Sequence, residues 1–178
     1  MSTPMIDAKS MPVILSSSFH LLLEADVFRL TDAIIAVSDL NELTTDSVGG
    51  IVTFEGRVRG SNHGRQVLRL EYEAYPEMAE LEGKKIIQEA CEKFPIEHAV
   101  CIHRTGTLEL RELAVWIAVF AKHREASYRA NEYIIDQVKT RVPIWKKEFY
   151  ADGQTDWVKC LSCAAKGIPH HEHFHHRA

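Results

Sequence analysis

Residues 139–148 read KTRVPIWKKE and gather four cations, Lys139, Arg141, Lys146 and Lys147, around Pro143. Amines and a guanidinium placed close together bind anions, and a lysine in such company can serve as acid, base or nucleophile. Val142 and Pro143 forbid continuation of the preceding helical period, so the chain doubles back and Lys139 and Lys146 can flank one pocket. Cations at a helix C-terminus also complement its dipole by about 0.3–1 kcal/mol each, which leaves Arg141 open between cap and ligand contact and makes Lys147 a solvated charge. Alternation sends Ile144 and Lys146 to the face opposite Trp145, and Ile144 and Trp145 are expected to brace the turn from the interior.

A second group is AKHREAS, where an apolar run ends and His123 and Arg124 fall at the start of the next helix. Free amides and the dipole at a helix start favour anions, and a guanidinium adds bidentate recognition of phosphate or carboxylate. His123 read alone is equally a histidine satisfied by a backbone carbonyl. A third group lies in VGGIVTFEGRVRG, where Val52, Phe54, Gly56 and Val58 share one parity, so Arg57 and Arg59 leave the core together. Two cations about 6 Å apart repel by roughly 3 kcal/mol at an effective dielectric of 20. Convergence of Arg59, Arg124, Lys139 and Lys146 therefore calls for an anionic substrate.

The elements that must position these groups follow from the hydrophobic periods. FHLLLEADVFRL offers a first strand, and the polar GSNHG joins the Arg57–Arg59 strand to QVLRLEYEAY as a hairpin with a long tip, Leu68, Leu70, Tyr72 and Ala74 on one side. Pro76 opens a helix with Ala79, Ile86, Ala90 and Phe94 near one face and Met78, Leu81 and Ile87 beside them. EHAVCIHRTG and ELAVWIAVFAK read as strands; the second is apolar from Leu113 to Ala121, as a central strand covered on both faces would be. The helical period returns through Ala126, Ala130, Ile134 and Val138, and IWKKEFYADGQTDWVKC then gives two strands about an Asp-Gly turn. Strand pairs mixed with two long helices, without regular alternation, predict an α+β domain.

Composition narrows the function. With 178 residues, 46% hydrophobic, the chain can bury one core, and a formal charge of −4 argues against a general nucleic-acid-binding field. No apolar run reaches the ~20 residues of a membrane span, so neither nucleic acid nor membrane is an expected partner and the cytoplasm is the default location. Cys91 and Cys101 sit in apolar patterns as small core residues, with no catalytic role expected of them.

FEGRVRGSNHGRQVLRLEYEAYPEMA, HRTG, AKHREAS and KTRVPIWKKE, in this order and spacing, resemble the large, catalytic subunit of molybdopterin synthase over roughly residues 45–158. The resemblance implies an α/β-hammerhead fold with a mixed or antiparallel sheet, two main helices and a C-terminal β-hairpin. It also implies a homodimer within a heterotetramer, each end carrying a small ubiquitin-like sulfur-carrier subunit with a C-terminal Gly-Gly thiocarboxylate. The implied reaction puts two sulfurs into cyclic pyranopterin monophosphate, making the dithiolene of molybdopterin, with no cofactor expected. Carried over residue by residue, Lys139 and Lys146 are catalytic and Arg59, His123 and Arg124 bind substrate.

This divides the chain into an N-terminal extension over 1–20, a catalytic-subunit domain over 21–158 and a Cys/His-rich tail over 159–178. In the tail, Cys160 and Cys163 with His170, His171, His173, His175 and His176 are of zinc-ligand type, but their spacing matches no standard finger, so no metal site is expected. The alternative reading is a non-catalytic carrier-binding or metal-binding module on the same scaffold, and after it a structural homodimer with solvated basic faces. Retention of both lysines and both arginines favours the enzyme.

Overall fold

The computed structural model describes residues 13–14, 27–36 and 40–158. Expectations for most of the N-terminal extension, and for Cys160, Cys163 and the histidines after them, fall outside the described residues. The strands are β1 (Val13–Ile14), β2 (Val27–Thr31), β3 (Ile35–Ala36), β4 (Gly50–Arg57), β5 (Ser61–Asn62), β6 (Arg65–Ala74), β7 (His98–Arg104), β8 (Gly106–Glu109), β9 (Leu113–Ala121), β10 (Ile144–Tyr150) and β11 (Thr155–Val158). The helices are α1 (Pro76–Lys93), between β6 and β7, and α2 (Arg124–Arg141), between β9 and β10. No helix among the described residues is long and apolar enough to cross a membrane.

One sheet has four strands in the order β2-β7-β9-β4, with β2 parallel to β7 and the other pairs antiparallel. β9 is buried along its whole length, as its unbroken apolar run requires. Val115, Ile117 and Val119 pack beneath the two helices, while Trp116, Ala118 and Phe120 meet Ile35, Leu43, Val100 and Ile102 on the other face. α1 begins with Pro76 in its first turn and buries Ala79, Gly83, Ile86, Ile87 and Ala90. Gly83 lies directly on the Phe28 ring, where any side chain would overlap it. Met78 and Leu81 do not join that face; they are 62% and 58% exposed because they lie more than about 100° round the helix from the buried stripe. α2 is tied to β4 by two polar side chains, Ser127 donating to the Gly50 carbonyl at 3.1 Å and Asn131 to that of Val52 at 3.0 Å.

The second sheet runs β11-β10-β6-β5, with β8 also on β6. The expected hairpin of β4 with β6 is not formed: β4 pairs with β9 in the first sheet and β6 with β10, β8 and β5 in the second. A register shift between Gly56 and Arg57 breaks the ladder, and Val58 turns into a core shared by both sheets, so the chain leaves one sheet and enters the other. The tip is itself a small hairpin, β5 to β6 through His63 and Gly64, both at positive φ (48° and 77°) as a tight two-residue turn demands. Leu68 was expected inside with Leu70, yet it is 48% exposed while Val67 and Leu70 are buried. The irregularity opposite Phe149 and Tyr150 inserts one residue and reverses the parity. The hairpin β10–β11 turns at Asp152–Gly153, Gly153 having φ of 81°.

Candidate functional site

The two sheets meet where β7 ends. His103 shares the helix-side parity of Ala99 and Cys101, and it pairs with Val115, which in turn pairs with Gly56. The Tyr72 ring of β6 meets the His103 ring edge-on, centroids 5.1 Å apart. Lys146 faces Tyr72 across the β6–β10 ladder. From the other direction, the last turn of α2 brings the Lys139 ammonium to 6.0 Å from the centre of the Phe54 ring, and its charge acts on His103. Lys139 and Lys146 thus approach one seam from different elements, with the Tyr72–His103 contact at its centre.

Arg59 joins them through a chain of hydrogen bonds. Lys146 Nζ lies 2.8 Å from Glu148 Oε1. Glu148 Oε2 accepts from Asn62 Nδ2 at 3.0 Å and from the Tyr150 hydroxyl at 2.7 Å. Asn62 Oδ1 accepts from Arg59 Nη2 at 2.8 Å. Glu148 is only 3% exposed, a costly place for a carboxylate. Burial pulls its proton affinity up, but the Lys146 ammonium, the Tyr150 hydroxyl and Asn62 together hold it below the ordinary range. A buried carboxylate thereby fixes Lys146 and, one residue further, Arg59, and it offsets part of the repulsion among the cations.

The remaining predicted residues stand elsewhere in the single chain. His123 is the residue before α2 and Arg124 its first residue, both exposed. Fifteen residues of helix, about 22 Å, separate Arg124 from Lys139, so one protomer does not bring them together. Arg141, open between cap and ligand contact, is committed to structure: its guanidinium bonds Glu82 at 2.7 Å through Nε and both oxygens of Glu89 through Nη1 and Nη2. Tyr133 adds a 2.8 Å bond to Glu89, and Arg141 first, Tyr133 second, hold the Glu89 carboxyl down at about 2. Lys147 sits over the Phe149 and Trp157 rings. Trp145 is 42% exposed, not interior; it stands edge-on to Tyr75, while Ile144 alone of the pair packs on the core. Cys101 is wholly buried, which pushes its thiol far above the range where a thiolate forms.

Four residues were missed by sequence reasoning: Glu148, Asn62, Tyr72 and His103. Glu148 carried a signal, since it shares the parity of Ile144 and Tyr150 in β10 and a glutamate on that face needs a partner. Asn62 sits in a polar turn where asparagine is ordinary, and nothing local marks it. Tyr72 also lines an open hollow of about 600 Å³ with Asp32, Glu73 and Glu80, whose three carboxyls suit no anion.

Fold and side-chain placement together define an α+β protein in which two lysines from different elements approach the junction of two sheets. The family model described as "MoaE protein" matches residues 30–141. The molybdopterin synthase catalytic subunit of Pyrococcus abyssi is 42% identical over 143 residues, covering 80% of this chain and 92% of that one. The human molybdopterin synthase catalytic subunit is 40% identical over 139 residues, 78% of this chain and 73% of its own. A crystal structure of molybdopterin synthase from Staphylococcus aureus superposes with a TM-score of 0.65 at 38% identity, over 74% of this chain and 96% of that one. The chain belongs to the MoaE family, the catalytic subunits of molybdopterin synthase.

Proposed function

We propose that this chain moves two sulfurs, in molybdenum cofactor biosynthesis, from thiocarboxylated small carrier subunits to cyclic pyranopterin monophosphate, forming the molybdopterin dithiolene. Each carrier arrives as a thiocarboxylate and leaves as a carboxylate, its sulfur exchanged for an oxygen of the pterin side. The observation that supports this most is the approach of Lys139 and Lys146 to one seam, with Arg59 wired to Lys146 through Asn62 and Glu148. Lys139, in the last turn of a packed helix with its ammonium beside the Phe54 ring, takes the acid/base or transient covalent role. Lys146 and Arg59 give electrostatic support to the phosphate and the departing oxygen.

Exposed His123 and Arg124 need a different geometry. In the homodimer that the family resemblance implies, the α2 start of one copy supplies them to the pocket of the other. Purified protein, thiocarboxylated carrier and cyclic pterin should yield dithiolene product, and Lys139→Ala should abolish it with the fold intact. Turnover by that variant refutes the assignment. Mixed dimers of Lys139→Ala and Arg124→Ala chains contain one complete pocket if the site is shared, so mixing should restore turnover that neither parent has. No recovery on mixing overturns the shared pocket, and full turnover by Arg124→Ala alone puts Arg124 outside the site.

A further inference from the structure

His103, in the HRTG stretch, has no part in the roles assigned above, yet it lies at the centre of the seam. Its Nδ1 is 2.8 Å from the Arg104 carbonyl oxygen. A carbonyl only accepts, so Nδ1 carries the hydrogen, and the neutral ring must then present Nε2 as a bare lone pair. The ring plane is held by that bond and by the edge-on Tyr72. It is 8% exposed, with its side chain on the helix-side parity, the face on which the Lys139 ammonium lies 6.0 Å from the centre of the Phe54 ring. Burial first, and the Lys139 charge in addition, bring its pKa down to about 4 against the opposing pull of the Arg104 carbonyl. The imidazole therefore stays uncharged at neutral pH.

An uncharged acceptor differs in kind from the carboxylate beside Lys146. Glu148 orients its lysine with a negative charge that Asn62 and Tyr150 share; an imidazole lone pair orients an amine with no charge of its own. Resting on the sulfur-transfer reading, we infer that His103 is a positioning residue for Lys139, its Nε2 lone pair accepting a hydrogen bond from the lysine amine and aiming it across the seam. The two lysines of the site are then held by chemically different partners, which suits different tasks.

Two substitutions separate this role from a purely structural one. Asparagine places its amide NH2 near Nδ1 and keeps the bond to the Arg104 carbonyl, whereas glutamine places its amide oxygen near Nε2. In the assay with thiocarboxylated carrier and cyclic pterin, His103→Asn should lower kcat by about tenfold or more, the size of one lost hydrogen bond to a charged group, with KM little changed. His103→Gln should recover most of that loss. Full kcat in His103→Asn, or losses in both variants that track a fall in Tm, overturns the inference. The 15N shifts of the His103 ring test the contact without any turnover: Nε2 should show an accepted hydrogen bond in the native protein and lose it in Lys139→Ala. Unchanged shifts sink the contact. Turnover by Lys139→Ala with the expected shift change sinks the catalytic reading alone.

Discussion

Arg141 and Lys146 stand on either side of Pro143, and the structure uses them in opposite ways. Arg141 meets two carboxylates, Glu82 and Glu89, and its bonding capacity is spent on joining α2 to α1. Lys146 meets one, Glu148, whose other oxygen is shared by Asn62 and Tyr150. One cation is neutralised where two helices need clamping, and the other is held but left with charge to offer. The number of carboxylates around a cation thus separates the helix clamp from the lysine proposed for catalysis within ten residues of sequence.

The contrast is sharpest if Glu148 is removed. Glu148→Ala leaves Lys146 and Asn62 without their shared anchor, and misplacement of groups on this scale costs about 10²-fold in turnover. A near-native kcat in a folded Glu148→Ala protein breaks the comparison at its functional side. Arg141→Ala should act on stability instead, by about 1–2 kcal/mol after discounting for partial exposure, read from urea unfolding. Activity per folded molecule should fall far less than in the Glu148 variant, and an equal fall would erase the distinction.

Acid gives a smaller effect with a definite sign. The Glu89 carboxyl is held at about 2, by Arg141 above all, against an ordinary value of 4.5, so its contribution is complete above 4.5 and is lost as pH falls toward 2. His103, kept neutral chiefly by burial, has a pKa of about 4 against 6.5, so the unfolded chain takes the proton first and stability declines from pH 6.5 toward 4. Stability followed by urea titration should lose its lower slope in Glu89→Gln and its upper slope in His103→Gln. Slopes that persist in both variants show that other groups carry the acid response. Smallest of all, Lys147→Ala should change stability by less than about 0.5 kcal/mol and leave turnover intact, because its ammonium lies over Phe149 and Trp157 and off the seam.

Much of this was legible in the residues. The buried run of β9, the proline start of α1, the Val142–Pro143 end of α2 and the Asp152–Gly153 turn each follow from a local rule, and each appears where the sequence puts it. What stayed hidden was partnership between distant segments. Local alternation identified β4 and β6 as strands but carries no information on whether they pair, and the bulges at Gly56 and Leu68 are invisible to a strict period of two. The lysines were visible because four cations crowd about one proline, whereas Asn62 and Glu148 meet across 86 positions and become a unit only on folding. The distance from Arg124 to Lys139 follows simply from helix rise, once the helix is known to be unbroken.

The small cluster of Val58, Val67, Leu70, Leu108, Ala114 and Tyr150 is the apolar material between the two sheets, and it is far smaller than the core under the helices. The spacing of the two amines depends on how those layers sit against each other and not on any single rotamer. Catalysis should accordingly fade on warming before the molecule melts, as this thin joint loosens while the thicker one still holds. Trimming Leu108 by a few methyl groups would lower that first temperature without touching a charge.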